Sequence, residues 1–285
     1  MKKILIHLEA EPKASVFDQI TAYDAGVDHI IAYGGVTPEE VTNLVYGAMF
    51  TRGGEELKNT AIFIGGENVP AAEELMKKTL KTFFGDVRVS VMLDPNGSNT
   101  TTAAMVYKIA GGRSLKGKKA LILAGTGPLG MREAVLLARE QVQVYISSRK
   151  LERAQQASCH IMESHGVEVT PLQIDGQEDI RNILAEGINI VSCCGAPGVQ
   201  LIDKAVWSAA PDLEIITDAN AVAPYGVEGI KVTDNGKERE GKLLYGPIAI
   251  GNLKMKVHRA AIKALFKSNN IVLDFDSIYE IAKGI

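Results

Sequence analysis

Cysteine is scarce: the 285 residues include only three, Cys159, Cys193 and Cys194. An odd number without metal-type spacing, two of them vicinal and hard to join in an unstrained disulfide, excludes a disulfide framework and fits a reducing cytoplasm. Long apolar runs are also missing. None approaches the roughly 18 to 20 residues that span a bilayer, so no membrane partner is expected. The opening Met1-Lys2-Lys3-Ile4-Leu5-Ile6-His7 turns charged again at Glu9, too early for a secretory core, and reads as a first strand. Charge of one sign does not dominate, with 31 basic against 34 acidic residues interspersed. Without a basic face to meet a phosphate backbone, nucleic acid is not expected as a partner. Internal repeats and low-complexity segments are absent. No nucleophile elbow, metal-ligand cluster or catalytic dyad is recognisable, which argues against a hydrolase and predicts no metal.

What is present is apolar and periodic. Hydrophobic residues make up 46% of the chain, enough for a large core, and the length suits two lobes better than one domain. Runs rich in β-branched residues alternate with segments of helical period: Lys3 to Leu8 then Ser15 to Tyr23, and His29 to Tyr33 then Pro38 to Met49. Thr37 and Glu40, with Pro38 at the first helical position, form a capping box. The pattern continues through Ala61 to Ile64, a helix from about Ala71 to Phe84, the strand Val87 to Leu93, and a helix from about Thr100 that ends at Gly111-Gly112. The predicted fold class is therefore α/β and two-lobed: a smaller α/β lobe over residues 1–112 and a Rossmann dinucleotide-binding lobe over 113–252, divided at the basic segment Arg113 to Lys119. Later strands are read at Ala120 to Ala124, Gln143 to Ile146, Val167 to Leu172, Ile188 to Cys193 and Leu213 to Thr217. After Gly251 a helical segment is expected to return and complete the first lobe with residues 253–285.

Gly125-Thr126-Gly127-Pro128-Leu129-Gly130 matches G-x-G-x-x-G between an apolar strand and the helical run Met131 to Arg139. Gly125 permits the tight turn, Gly127 lets amides approach a pyrophosphate, and Gly130 lets the helix pack closely. About 20 residues on, where an NAD-selective site carries an acid for the ribose, stand Ser147-Ser148-Arg149-Lys150. Ser148, Arg149 and Lys150 suit a 2′-phosphate, so NADP is the expected cofactor and NAD a weaker alternative. At two further strand ends, Gly195 and Ala196 leave room for a nicotinamide ring, and Asp218 and Asn220 are candidates to bond near it. The same four residues also suit plain turns.

Ser15-Val16-Phe17-Asp18, Thr51-Arg52-Gly53-Gly54, Asp94-Pro95-Asn96-Gly97-Ser98-Asn99-Thr100-Thr101, the glycine loop and Ile250-Gly251-Asn252-Leu253-Lys254-Met255-Lys256 together resemble the methylene-tetrahydromethanopterin dehydrogenases. The likeness runs nearly end to end, and no single short motif carries it. It implies a pterin substrate in a cleft facing the nicotinamide, a cytoplasmic homo-oligomer (trimer or hexamer), and a role in one-carbon metabolism or formaldehyde oxidation, as in methylotrophy. By the same resemblance Lys254 is the essential lysine, Thr101 belongs to the pterin pocket, Phe17 and Asp18 face the pterin, and His258 is a further candidate. Taken without the family, Phe17 reads as core, Asp18 and Lys254 as solvated charges and Thr101 as a cap. Ser147-Ser148 and Cys193-Cys194 depart from the family pattern.

The implied reaction suits the absence of acid–base machinery. The methylene carbon lies between two nitrogens, and losing a hydride leaves a cation that both nitrogens share, so no general base is required. The protein must chiefly position the two reactants. A methylene-tetrahydrofolate dehydrogenase and a non-catalytic NADP-binding sensor are the alternatives. A shikimate-type dehydrogenase shares the lobe order but lacks its lysine–aspartate pairing here.

Overall fold

The computed structural model describes residues 1–285, which form two units: Met1–Thr100 with Lys254–Ile285, and Thr101–Leu253. The first unit opens with β1 (Ile4–Leu8), α1 (Val16–Asp24), β2 (His29–Tyr33), α2 (Pro38–Phe50), a 3-10 segment Gly54–Asn59, β3 (Thr60–Ile64), α3 (Val69–Thr82) and β4 (Ser90–Leu93). Local chemistry sets the helix starts. Ser15 Oγ accepts from the amide of Asp18 at 3.2 Å, and Asn68 Oδ1 from that of Ala71 at 3.2 Å, so α3 begins at Val69, two residues before the apolar period suggests. At α2 the Glu40 carboxylate accepts from both the amide (3.0 Å) and the hydroxyl (3.1 Å) of Thr37. The 3-10 turn Pro95–Gly97 leads into α4 (Ser98–Ala110), which Gly111 and Gly112 end in left-handed conformations. The sequence places the lobe boundary after residue 112, whereas the units part inside α4 at Thr100. A continuous helix carries no compositional mark of such a division.

In the second unit, β5 (Lys119–Leu123), α5 (Pro128–Arg139), β6 (Gln143–Ser148), α6 (Leu151–His165), β7 (Thr170–Gln173), α7 (Gln177–Leu184), β8 (Ile190–Cys193), α8 (Lys204–Trp207) and β9 (Ile215–Asp218) precede a hairpin, β10 (Asn235–Arg239) and β11 (Lys242–Tyr245). The sheet order is β10-β11-β9-β8-β5-β6-β7, parallel throughout except β10. This is the doubly wound order, with the strand direction of travel reversing at β5 and β8. Pro171 sits within β7, tolerated because β7 is an edge strand. The hairpin was not read from the sequence: its turn, Glu240-Gly241, takes positive φ at both residues without the usual Asn-Gly. Leu121, Val191, Trp207 and Ile216 anchor a buried cluster in this unit.

The chain then enters α9 (Pro247–Leu265), a helix that runs through Gly251 and does not wait for it, β12 (Val272–Leu273) and α10 (Phe275–Lys283). β12 pairs in parallel with β4, giving the first unit a five-stranded sheet, β12-β4-β3-β1-β2. Its pairs are all parallel, and β3 is buried at every position, as expected of a strand covered on both faces. No helix is long and apolar enough to cross a membrane.

Candidate active site

β5 delivers the chain through Ala124, at φ 52°, into the glycine loop. The three glycines meet different surroundings. A Cβ on Gly130 would lie 2.6 Å from Gly125 Cα, and one on Gly125 would lie 3.0 Å from Ile122, so the loop folds back onto the first turn of α5. A Cβ on Gly127 would meet nothing within 4 Å. Gly127 caps α5 with no side-chain bond, and Pro128 occupies the first helical position. The helix thus begins three residues earlier than Met131, and Pro128, Leu129 and Gly130 make its first turn. Leu129 packs with Ala104, Met105 and Cys194 in a small apolar cluster.

From this loop a cavity of about 660 Å³ extends along the ends of the parallel strands, lined by Thr126, Ser148, Arg149, Arg153, Gly195 and Ala196 among others. Lys150 is exposed and is not part of the lining. Arg153, in the first turn of α6, is a lining cation that the sequence reading missed. Asp218 and Asn220 do not line the cavity. Asp218 accepts from the amides of Asn220 (2.9 Å) and Val227 (3.0 Å), while Asn220 accepts from Val222 (2.8 Å) and donates to the Pro224 carbonyl (3.0 Å). Both fasten the loop after β9. Behind the cavity wall, the fully buried Glu133 of α5 accepts from Ser192 Oγ (2.8 Å) and Cys194 Sγ (3.1 Å), and Thr217 donates to Ser192 at 2.8 Å.

The first unit holds a second cavity, of about 360 Å³, lined by Glu9, Glu11, Phe17, Asp18, Gly97 and Lys254 among others. Lys254 Nζ lies 4.3 Å from the centre of the half-exposed Phe17 ring. It also sits 2.9 Å from where a Cβ of Gly97 would be, so the left-handed, side-chain-free Gly97 leaves the ammonium its place. Burial, and then the neighbouring Asp94, push the Asp18 carboxyl up to about 6. His258 is not on the wall: it is fully buried, stacked on Phe63 at 5.7 Å, with its ring nitrogens 4.0 Å from Asp18 and 3.9 Å from Asp94. Burial lowers its pKa to about 4, so the ring is neutral. Thr101 follows Thr100, whose hydroxyl donates to Asp94 at 2.7 Å, and is not among the lining residues. His7, Glu9 and Asp18 bring donor atoms within 4.8 Å of one another, a grouping invisible in the linear spacing. Glu9 Oε1 is already engaged by His7 at 2.7 Å and by the Ser15 amide at 3.0 Å.

Residues 16–96, which supply much of this second cavity, match the family described as "Methylene-tetrahydromethanopterin dehydrogenase, N-terminal". The chain is 46% identical over 285 residues, 99% of its length and 98% of the relative's, to the "Bifunctional protein MdtA" of Methylorubrum extorquens. It is 30% identical over 297 residues, 100% of its length and 99% of the relative's, to the "NAD(P)-dependent methylenetetrahydromethanopterin dehydrogenase" of the same organism. The chain belongs to the methylene-tetrahydromethanopterin dehydrogenase family. A shikimate 5-dehydrogenase from Listeria monocytogenes, solved with shikimate and NAD, matches with a TM-score of 0.54 at 17% identity, over 98% of this chain and 96% of that one. That likeness concerns the fold.

Membership in the methylene-tetrahydromethanopterin dehydrogenase family makes the chain a dehydrogenase that uses a nicotinamide dinucleotide, and the residues present fit one. The open side of Gly127 and the uncapped start of α5 suit a pyrophosphate, and no carboxylate stands at the end of β6, where one would select NAD. The lining residues Glu9, Glu11 and Gly97 escaped the sequence reading, since only the parallel pairing of β1 and β3 and the turn before α4 gather them beside α1.

Proposed function

We propose that the protein transfers a hydride from methylene-tetrahydromethanopterin to NADP, giving methenyl-tetrahydromethanopterin and NADPH in one-carbon metabolism. The observation that carries this reading is that one member of the family combines the open glycine loop, leading to two guanidinium groups, with a cavity that gathers Phe17, Asp18 and Lys254. When bound, the nicotinamide supplies the hydride acceptor. Arg149 and Arg153 hold the 2′-phosphate that distinguishes NADP from NAD, with Ser148 adding a hydroxyl.

In the first unit, the exposed face of Phe17 is a platform for the flat pterin. Lys254, whose ammonium lies 4.3 Å from the centre of the same ring, donates to a pterin heteroatom and sets the substrate's orientation. A cation beside a developing cation is unfavourable, so the ammonium addresses the ring and not the methylene carbon. His258, buried and 6.5 Å from the Phe17 ring, supports the site from behind it. The assembly is read as a homo-oligomer; the exposed Val16, Ile20 and Tyr23 on α1 and Phe50 on α2 give it apolar surface to bury.

Absorbance at 340 nm, corrected for the methenyl pterin, tests the reading with each nucleotide and with methylene-tetrahydromethanopterin and methylene-tetrahydrofolate in parallel. Rapid turnover of the methanopterin substrate with NADP is expected. Turnover of the folate alone would move the protein to methylene-tetrahydrofolate dehydrogenase chemistry. Tight NADP binding without turnover of either would make it a nucleotide sensor.

A further inference from the structure

The cavity beside Phe17 carries more negative than positive charge. Its wall presents four carboxylates, Glu9, Glu11, Asp18 and Glu67, against two ammonium groups, Lys13 and Lys254. Two of the acids are already engaged. Glu9 is held by His7 and the Ser15 amide, and Glu11 Oε1 accepts from the Asn68 amide at 2.7 Å. Asp18 is different. Its nearest ionisable nitrogen is His258 Nε2 at 4.0 Å, and that ring is held neutral by burial. The Lys254 ammonium is turned to the Phe17 face and the space above Gly97.

Four segments place polar groups around Asp18. On α1 Ser15 offers a hydroxyl; β1 brings the mutually bonded His7 and Glu9; the turn before α4 brings a second carboxylate, Asp94; and α9 brings Lys254 and the neutral His258. A half-buried carboxylate with no ion-pair partner, on the wall of a substrate cavity, favours a cationic occupant.

Resting on the dehydrogenase reading above, we propose that Asp18 is the counter-charge for the cationic product, so that the cavity binds the methenyl pterin more tightly than the neutral methylene pterin. In the step concerned, the C–H bond of the methylene bridge breaks and its electron pair leaves with the hydrogen as hydride to the nicotinamide, which is reduced. The bridge carbon is oxidised, and one positive charge spreads over its two nitrogens. Because that charge develops in the transition state, Asp18 lowers the barrier as well as favouring the product. Glu9 differs in that its Oε1 is already bonded to His7 and to the Ser15 amide.

The test is the dissociation constant of the methenyl and methylene forms, each titrated by intrinsic fluorescence without nucleotide, for the wild type, Asp18→Asn and Asp18→Glu. Asp18→Asn should weaken methenyl binding by about tenfold, as one lost charge pair in a partly buried site implies, and change methylene binding by less than about twofold. Asp18→Glu should restore most of the preference. In the wild type the preference should fade as pH drops through about 6, where Asp18 takes up its proton, and in Asp18→Asn it should be flat. Equal weakening of both forms, or an unchanged wild-type preference below pH 6, would overturn the proposal while leaving the dehydrogenase reading intact. That reading fails separately, if the wild type turns over no methylene pterin.

Discussion

Lys254 keeps its position over Phe17 because Gly97 has no side chain, at 2.9 Å from where a Cβ would stand. If this ammonium orients the pterin, Lys254→Ala should lower kcat by about a hundredfold, the cost of a misplaced reactant; wild-type turnover at saturating substrate would remove the residue from catalysis. At the other ligand, Arg149→Ala should raise the KM for NADP by about 10- to 100-fold, as loss of a charge-assisted bond implies, and leave the KM for NAD nearly unchanged. Equal changes would mean that Arg149 does not read the 2′-phosphate. Glu133 belongs to neither contact. Burial pushes its carboxyl from the ordinary 4.5 up to about 7, against the pull of Cys194 and Ser192. Ionisation therefore costs more in the folded state than in the unfolded one, and stability falls as pH rises from about 4.5 through about 7. Between pH 5 and 8 the wild type should lose on the order of 3 kcal/mol relative to Glu133→Gln in urea titrations. Parallel pH profiles would show that Glu133 does not titrate there.

The elements that build the site owe their limits to single residues. Asn68 starts α3 by accepting from Ala71, and it also receives the Glu11 carboxylate on its own amide, linking the helix start to the cavity beside Phe17. Replacing it with alanine removes only the side-chain half of this arrangement. Asn68→Ala should cost about 1 kcal/mol, the usual worth of a cap, measured by thermal unfolding, with substrate KM little affected because the amide remains. A large rise in KM would mean that the cap also sets the position of Glu11. The start of α5 shows the opposite design. It lacks a side-chain cap, which leaves its first amides without a side-chain acceptor, whereas α1 and α3 close theirs with Ser15 and Asn68.

Across the whole molecule, stability comes from two separate sheets and their covering helices. Trp207 is completely buried among Leu121, Val191 and Ile216, and its indole donates to the Glu228 carbonyl at 2.9 Å. Trp207→Ala should destabilise the second unit by about 3 to 5 kcal/mol, visible as a lowered unfolding midpoint; a shift below about 1 kcal/mol would mean that the cavity refills by collapse. Much of this architecture was legible in the residues. Alternating apolar runs and helical periods specify βα units because burial on both faces of a parallel strand demands continuous hydrophobicity, and the glycine loop declares itself by its strand and helix neighbours. The resemblance carried by Phe17-Asp18, the turn at Asp94 and Lys254 likewise needs no coordinates. Other features depend on residues far apart in the chain: Glu9 and His7 reach Asp18 only once α1 packs beside β1, His258 proves neutral only because the packed unit buries it, against the pull of the nearby Asp94, and Asp218 and Asn220 turn out to hold a loop. Periodicity reports which face of an element is apolar, whereas the charge and accessibility of a side chain are set by what other elements place against it, and that is decided only in the tertiary structure.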